Sequence, residues 1–153
     1  EGFIPNETPM SRGTRLEKHA IERFRNETGK KVDESLISWS KDDNSDITVS
    51  PDGIVSDEEA VECKCLSSAS HIEAYLTNQI PDEYIEQGIQ YFIVNETLKK
   101  LNFVFYDPRI PVKDYFVLEM NRSEVESEIK LYSEFQIKTI EEINKIVNTL
   151  IGF

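Results

Sequence analysis

Cysteine is scarce in this sequence: two of its 153 residues are cysteines, Cys63 and Cys65. Side chains at positions i and i+2 of a regular strand are too close and too strained to be bridged, so the pair does not indicate a disulfide scaffold. An iron–sulfur cluster needs about four thiolate ligands. The cysteine count therefore argues against a cluster-bearing enzyme as well, and the two thiols are expected to pack as small apolar side chains.

Long apolar runs are also missing. No stretch of about 18 consecutive apolar residues is present, so the chain is not expected to span a membrane. An apolar fraction of 39% and an aromatic fraction of 10% are sufficient for one buried core. A chain of this length is too short for two ordinary domains. We therefore expect one cytoplasmic domain over residues 1–153.

Positive charge is in short supply, with 17 Lys or Arg against 29 Asp or Glu and a net charge of −12. Such a balance argues against phosphate binding over the whole surface. The acidity is unevenly distributed. Residues 42–62 hold eight carboxylates and no Lys or Arg, whereas residues 1–41 are nearly neutral, with eight basic and seven acidic residues. The acidic segment is interpreted either as a solvated loop or as part of a site for a divalent cation.

The spacing of apolar residues predicts a mixed α/β, or α+β, order of helices and strands. An extended lead-in over residues 1–10 precedes the first helix, which Gly29 ends. Ser123 is the predicted N-cap of the last helical segment. After the lead-in, the predicted elements are a helix at 11–28, strands at 35–39, 46–50, 54–55 and 60–66, a helix at 81–94, strands at 101–106 and 112–119, and one or two helices at 123–151.

Residues in and beside the predicted strand 60–66 have the right types for phosphodiester hydrolysis. Side chains alternate faces along a strand, so Glu62 and Lys64 are expected on one face and Cys63 on the other. If Asp52 lies on the neighbouring strand, Asp52 and Glu62 converge on one divalent ion, and the Cys63 carbonyl completes part of its oxygen shell. Lys64 would then orient the attacking water or stabilise the developing charge. The alternative is an ordinary ion pair between Glu62 and Lys64, with Asp52 as a turn former.

The residues around this constellation resemble one family. Segments that together cover nearly all of the chain from about Met10 occur in the order, and mostly at the separations, of the phage lambda exonuclease family of YqaJ-like recombination nucleases. These segments are Arg12 to Glu17, Ser50-Pro51-Asp52-Gly53, Glu62-Cys63-Lys64-Cys65, Gln87 to Tyr91, and Tyr106-Asp107-Pro108-Arg109. The resemblance implies a restriction-endonuclease-like core of the PD-(D/E)XK type, with a central mixed β-sheet flanked by helices.

The resemblance also implies an activity and a set of metal ligands. The expected activity is magnesium-dependent digestion of linear double-stranded DNA from its 5′ end, with manganese able to replace magnesium. Asp52 and Glu62 would be metal ligands, and Lys64 would be the catalytic lysine. Asp42 would be a second-metal or supporting ligand; Asp43 competes for that role, and a simple turn aspartate is the alternative.

Residues on helices complete the expected site. Glu17 would approach the metal from the first helix, or would only pair with a neighbouring basic side chain. Gln87 is the better match to the family's helical glutamine, because Gln87 and Tyr91 reproduce a Gln-x-x-x-Tyr pattern common among these nucleases. Gln90 is the competing choice. Gln90 and Tyr91 are also candidate DNA contacts.

The resemblance predicts partners as well. Arg12 and Arg15 are the candidate phosphate contacts, with a plain helix-surface role as the alternative. The family's N-terminal segment, which helps to hold a terminal 5′-phosphate, lies before the point where this sequence starts. The chain is therefore expected either to be part of a longer protein or to bind a DNA end differently. A homotrimer and a single-strand annealing protein as partner are further expectations from the family.

Two other functions stay open on the sequence. An endonuclease on the same fold, of the restriction or junction-resolving type, would share the metal site, and closed circular DNA would distinguish it from an exonuclease. A non-catalytic DNA-binding module would keep the fold without the chemistry. The presence of both carboxylates and the lysine favours an enzyme.

Overall fold

A computed structural model describes residues 4–152 of the chain, so residues 1–3 of the predicted lead-in lie outside the described part. The described part contains four α-helices and six β-strands. In chain order, they are α1 (Pro9–Thr28), β1 (Trp39–Lys41), β2 (Asn44–Val49), β3 (Gly53–Ser56), β4 (Glu59–Lys64), α2 (Ser68–Thr77), α3 (Asp82–Val94), β5 (Lys100–Tyr106), β6 (Tyr115–Asn121) and α4 (Glu126–Ile151).

The central sheet has four strands in the order β3-β4-β5-β6. β4 and β5 run parallel, because the crossover through α2 and α3 returns the chain to the same end of the sheet, while β3–β4 and β5–β6 are antiparallel pairs. β1 and β2 form a separate two-stranded hairpin. The predicted fold class, a mixed sheet flanked by helices, is confirmed.

Helix α1 covers one face of the sheet. Thr8 caps it, since the Thr8 hydroxyl accepts a hydrogen bond from the Ser11 amide at 3.1 Å, and Gly29 ends it in the left-handed region at φ 71°. The helix begins two residues earlier than predicted because Pro9 suits a first helical position. The helix predicted from apolar spacing is confirmed, and its buried face consists of Leu16, Ala20, Ile21 and Phe24.

Helix α3 covers the opposite face, and its close approach depends on a glycine. A Cβ atom at Gly88 would lie 2.8 Å from the Met120 sulfur and 3.1 Å from the Phe103 ring. Ile89 and Phe92 on the same helix are fully buried against the aromatic side chains of β5. Because β5 is buried on both faces and pairs with β4, the packing of α3 on β5 also sets the distance between α3 and β4, where the site residues lie.

Several predicted elements differ from the structure. Helix α2 was not predicted, because its serine-rich start resembles a loop and it buries only His71 and Ala74; the Ser67 hydroxyl caps it by accepting from the Ser70 amide at 3.2 Å. The prediction of Ser123 as an N-cap was wrong. Ser123 lies in a short 3-10 turn, and α4 begins after Val125 without a side-chain cap.

The strands also shift at their ends. The first strand begins at Trp39 instead of residue 35, and the last begins at Tyr115 instead of residue 112, because Leu36 and Val112 are exposed loop side chains. The last helical segment is a single helix, α4. No helix within residues 4–152 is long and apolar enough to cross a membrane.

Candidate active site

The β3–β4 hairpin holds Asp52 across from the end of β4. The Asp52 amide donates to the Val61 carbonyl at 3.1 Å, and one carboxylate oxygen of Asp52 accepts from the Cys63 amide at 2.7 Å. Position 53 requires glycine because the backbone there passes close to Val32, in the segment that follows α1. A Cβ atom at this position would lie 2.5 Å from Val32 Cγ1. The carboxylate of Asp52 is therefore fixed by the backbone of the strand that carries Glu62.

Strand alternation places Glu62 and Lys64 side by side, as predicted. Lys64 Nζ lies 3.5 Å from Glu62 Oε1, and both side chains are about nine-tenths buried, at 12% and 9% exposure. Gln87 of α3 joins them: its amide nitrogen donates to Glu62 Oε1 at 3.0 Å, and its amide oxygen accepts from Lys64 Nζ at 2.7 Å. One uncharged side chain thus satisfies an anion and a cation at once.

Two tyrosines of α3 extend this contact along β4. The Tyr91 hydroxyl lies 2.6 Å from Glu62 Oε2 and 2.9 Å from the Ser50 carbonyl, and Tyr91 is 2% exposed. Tyr84 places its ring centroid 4.1 Å from Lys64 Nζ. The sequence did not assign Tyr84 to the site, although its spacing from Gln87 and Tyr91 puts all three on one helix face.

The carboxyl groups repel one another in a buried setting. Burial, reinforced by the charge of Asp52, raises the pKa of Glu62 to about 7, although the Tyr91 hydroxyl and Lys64 act to lower it. Burial and the charge of the neighbouring Asp52 carboxyl also raise the pKa of Glu17, on α1, to about 7. Burial raises the pKa of Asp52 itself. A cation bound among the three carboxyls would favour their ionised forms.

Cys63 points away from these groups. Its side chain packs with the cluster beneath α1, and burial raises the pKa of its thiol well above the ordinary value. Cys65 lies on the same side. The prediction that the two cysteines occupy the face opposite Glu62 and Lys64 is confirmed, and this leaves the backbone of Cys63 as the part that faces Asp52.

Two predicted site residues lie elsewhere. Asp42, in the β1–β2 turn, lines a surface groove with Asp57 and Asn95, beside the opposite end of β4. Gln90 accepts a hydrogen bond from Gln136 of α4 at 3.3 Å. The structure therefore brings Gln87, and not Gln90, to the acid–lysine pair.

The two predicted phosphate contacts differ in position. Arg12 reaches the end of β4, where one guanidinium nitrogen donates to the Cys65 carbonyl at 3.3 Å and to the Leu66 carbonyl, while its other terminal nitrogen is buried without a hydrogen-bond partner. Arg15 is in an ion pair with Glu7 at 2.8 Å. Arg12 thus lies beside the two residues that follow Lys64 at the end of β4.

A further arginine, which the sequence quoted only as part of a motif, meets Arg12 at this point. Arg109 donates to the Leu66 carbonyl at 3.2 Å and to both carboxylate oxygens of Asp107, at 2.8 and 3.1 Å. Burial acts to raise the pKa of Asp107, but hydrogen bonds from Arg109 and Ser68 lower it to about 2. The signal in the sequence was an arginine two residues after an aspartate that ends a buried strand.

The oxygen-rich donor set suits a hard divalent cation. Within residues 4–152, no group of three or more His, Cys, Asp or Glu side chains is already arranged around a metal position. Asp52 and Glu62 nevertheless converge as two carboxylates, with the Glu17 carboxyl close to Asp52. Magnesium prefers one or two carboxylates plus water, so the residues present fit such an ion.

The chain matches the model of a known protein family over more than half of its length. The profile of the YqaJ-like viral recombinase domain matches residues 4–97, a segment that includes Asp52, Glu62, Lys64 and Gln87. The chain belongs to the YqaJ-like viral recombinase domain family. The family resemblance seen in the sequence is confirmed. No curated protein matches this YqaJ-like chain.

Two solved structures that are similar to this chain are exonucleases by name. An alkaline exonuclease (LHK-Exo) from Laribacter hongkongensis is 31% identical to the YqaJ-like chain, with a TM-score of 0.70, and the match covers 94% of this chain and 76% of the exonuclease. A structure of LHK-Exo in complex with dAMP gives 30% identity, a TM-score of 0.69, and coverage of 96% and 77%.

Proposed function

We propose that this YqaJ-like domain is a magnesium-dependent exonuclease that hydrolyses phosphodiester bonds of linear double-stranded DNA, from the 5′ end, in phage-type recombination. The observation that carries the proposal is the convergence of the Asp52 and Glu62 carboxyls and the Lys64 ammonium at the end of β4, a donor set that suits a divalent cation. Membership of the family and the exonuclease names of its structural relatives support the same activity.

The proposed metal ligands are the carboxylates of Asp52 and Glu62 and the backbone carbonyl of Cys63. Glu17, whose carboxyl lies close to Asp52, is a supporting carboxylate. Asp42 is left out of the set, because it lies with Asp57 and Asn95. Magnesium or manganese bound there would polarise a phosphoryl oxygen and supply a water that is a nucleophile at neutral pH.

The remaining side chains hold and complement the reacting groups. Lys64 carries the one ammonium beside Glu62, and in the reaction it stabilises the negative charge that develops on phosphoryl oxygens or orients the attacking water. Gln87 keeps Lys64 and Glu62 at a fixed separation. Tyr91 acts from the interior on Glu62, so we assign it to positioning and not to DNA contact.

The proposed DNA contacts are fewer than the sequence indicated. Arg12 contacts the carbonyls of Cys65 and Leu66, directly after the Lys64 end of β4, and is retained as a proposed phosphate contact. Arg15 is engaged with Glu7, and Gln90 with Gln136, so neither is retained. A homotrimer would bring local basic surfaces together around DNA in spite of a net charge of −12 per chain, and a single-strand annealing protein would receive the product strand.

The test is digestion of end-labelled linear duplex and of supercoiled circular DNA with magnesium. Lys64→Ala is compared with Lys99→Ala, a matched variant of an exposed lysine at the opposite end of β4. Loss of the linear duplex alone, prevented by Lys64→Ala and by chelator, is the expected result. Nicking of the circular DNA would mean that the activity is that of an endonuclease and not of an exonuclease. If the folded native chain cleaves neither substrate, the proposal that it is a nuclease is refuted.

A further inference from the structure

Tyr84 lies in the candidate active site but has no role in the phosphodiester hydrolysis proposed above. It lies in the first turn of α3, three and seven residues before Gln87 and Tyr91, so the three side chains form one stripe along the helix. Tyr91 contacts Glu62, Gln87 contacts Glu62 and Lys64, and Tyr84 contacts Lys64. The three side chains therefore contact Glu62 and Lys64 of β4 in order along the strand, and Tyr84 lies at the Lys64 end.

The Lys64 ammonium has three neighbours of different kinds. Two are acceptors, Gln87 Oε1 at 2.7 Å and Glu62 Oε1 at 3.5 Å, and the third is the Tyr84 ring, with its centroid at 4.1 Å. A lysine head on a flexible four-carbon stem has many rotamers, so acceptors alone do not define its position. A cation over a ring face is attracted by the ring's quadrupole, and the attraction is stronger for a mostly buried side chain such as Lys64, which is 12% exposed, than for a fully solvated one.

We propose that Tyr84 is a positioning residue, whose ring holds the Lys64 ammonium against Glu62 and Gln87. The inference rests on the proposed function, because it takes Lys64 as the catalytic lysine. The ring, and not the phenolic hydroxyl, is the acting part, because the contact is with the ring face. Tyr84 touches neither DNA phosphate nor metal ligand in this role; it acts through Lys64.

Kinetics separate this role from a plain packing role. Tyr84→Leu removes the ring at similar bulk, and we expect kcat to fall about tenfold with little change in KM, since the group that is misplaced acts in the transition state. Tyr84→Phe keeps the ring and is expected to restore most of that loss. Tyr75→Leu is the matched control, because Tyr75 makes a similar contact with Lys113, at 5.2 Å, away from the site.

A second measurement does not depend on cleavage. Acylation of lysine amines, followed by mass spectrometry, reports how well each amine is shielded. In Tyr84→Leu, the labelling rate of Lys64 is expected to rise several-fold relative to that of Lys113. In Tyr75→Leu, the labelling rate of Lys113 is expected to rise relative to that of Lys64. Thermal unfolding confirms that each variant is folded, and Tyr84→Gln replaces Tyr84→Leu if the latter is not.

The outcomes are distinct. Native kcat together with native labelling of Lys64 in Tyr84→Leu would overturn the proposal. Equal loss of kcat in Tyr84→Phe and Tyr84→Leu would overturn the assignment to the ring. If the native chain cleaves no DNA, the proposed function fails, whereas the labelling of Lys64 still decides whether Tyr84 restrains it.

Discussion

Binding of a divalent ion at the carboxyl cluster is expected to weaken steeply below pH 7. The pKa of Glu62 and the pKa of Glu17 are each raised to about 7, first by burial and then by the charge of Asp52. At pH 6 each group is about 90% protonated, and at pH 8 about 90% ionised. An ion that binds Asp52 and Glu62 must displace the Glu62 proton, so the apparent affinity falls about tenfold per pH unit below 7 for each proton released.

Isothermal titration with magnesium or manganese at pH 6, 7 and 8, in two buffers of different ionisation enthalpy, measures both the affinity and the number of protons released. Near pH 6 we expect release of about two protons from the native chain, one from Glu62 and one from Glu17. Glu17→Gln is the matched control, because it removes the supporting carboxyl and should release about one. An affinity that is the same at pH 6 and pH 8, or binding without proton release, would refute this account of the cluster.

Other consequences concern stability and the positioning of Glu62. Without a divalent ion, the free energy of unfolding should fall as pH rises from about 4.5 through 7, because the folded state keeps protons on Glu17 and Glu62 that the unfolded chain, with its pKa of 4.5, has lost; urea titrations in chelator at pH 5 and pH 8 test this. Tyr91→Phe removes a donor to Glu62 and should weaken metal affinity several-fold at pH 7, so a native value by calorimetry would contradict the role of the hydroxyl. Gly53→Ala should cost about 1–3 kcal/mol in chemical denaturation, because Val32 must move, whereas Gly13→Ala meets no neighbour and should be neutral or stabilising.

The parts of the site that strand alternation determines could be predicted from the sequence. Glu62 and Lys64 share a face of β4 because side chains alternate every residue, and Cys63 takes the other face for the same reason. The pairing of β3 with β4 then brought Asp52 beside Cys63, as the turn between two short apolar runs indicated. Periodicity likewise gave α1 and its buried stripe.

Contacts between distant elements could not be predicted in the same way. The proximity of Glu17 to Asp52 depends on how α1 lies across the sheet, and no local pattern sets that angle. The choice between Gln87 and Gln90 needed the rotation of α3 about its own axis, which Gly88 and the side chains beneath it fix through packing. Asp42 has the charge of a ligand, but the β1–β2 turn carries it to another surface.

The double contact of Gln87 has a consequence for which residues the position can accept. Its amide presents a donor to Glu62 and an acceptor to Lys64, and it has no net charge. A negatively charged side chain at this position would be repelled by Glu62, and a positively charged one by Lys64. Glutamate has the same shape but would face Glu62 with oxygen against oxygen, and asparagine is one carbon shorter. Position 87 therefore requires a side chain that has both a donor and an acceptor at its end and the length of glutamine. A substitution that preserves only the shape of the side chain loses one of the two contacts.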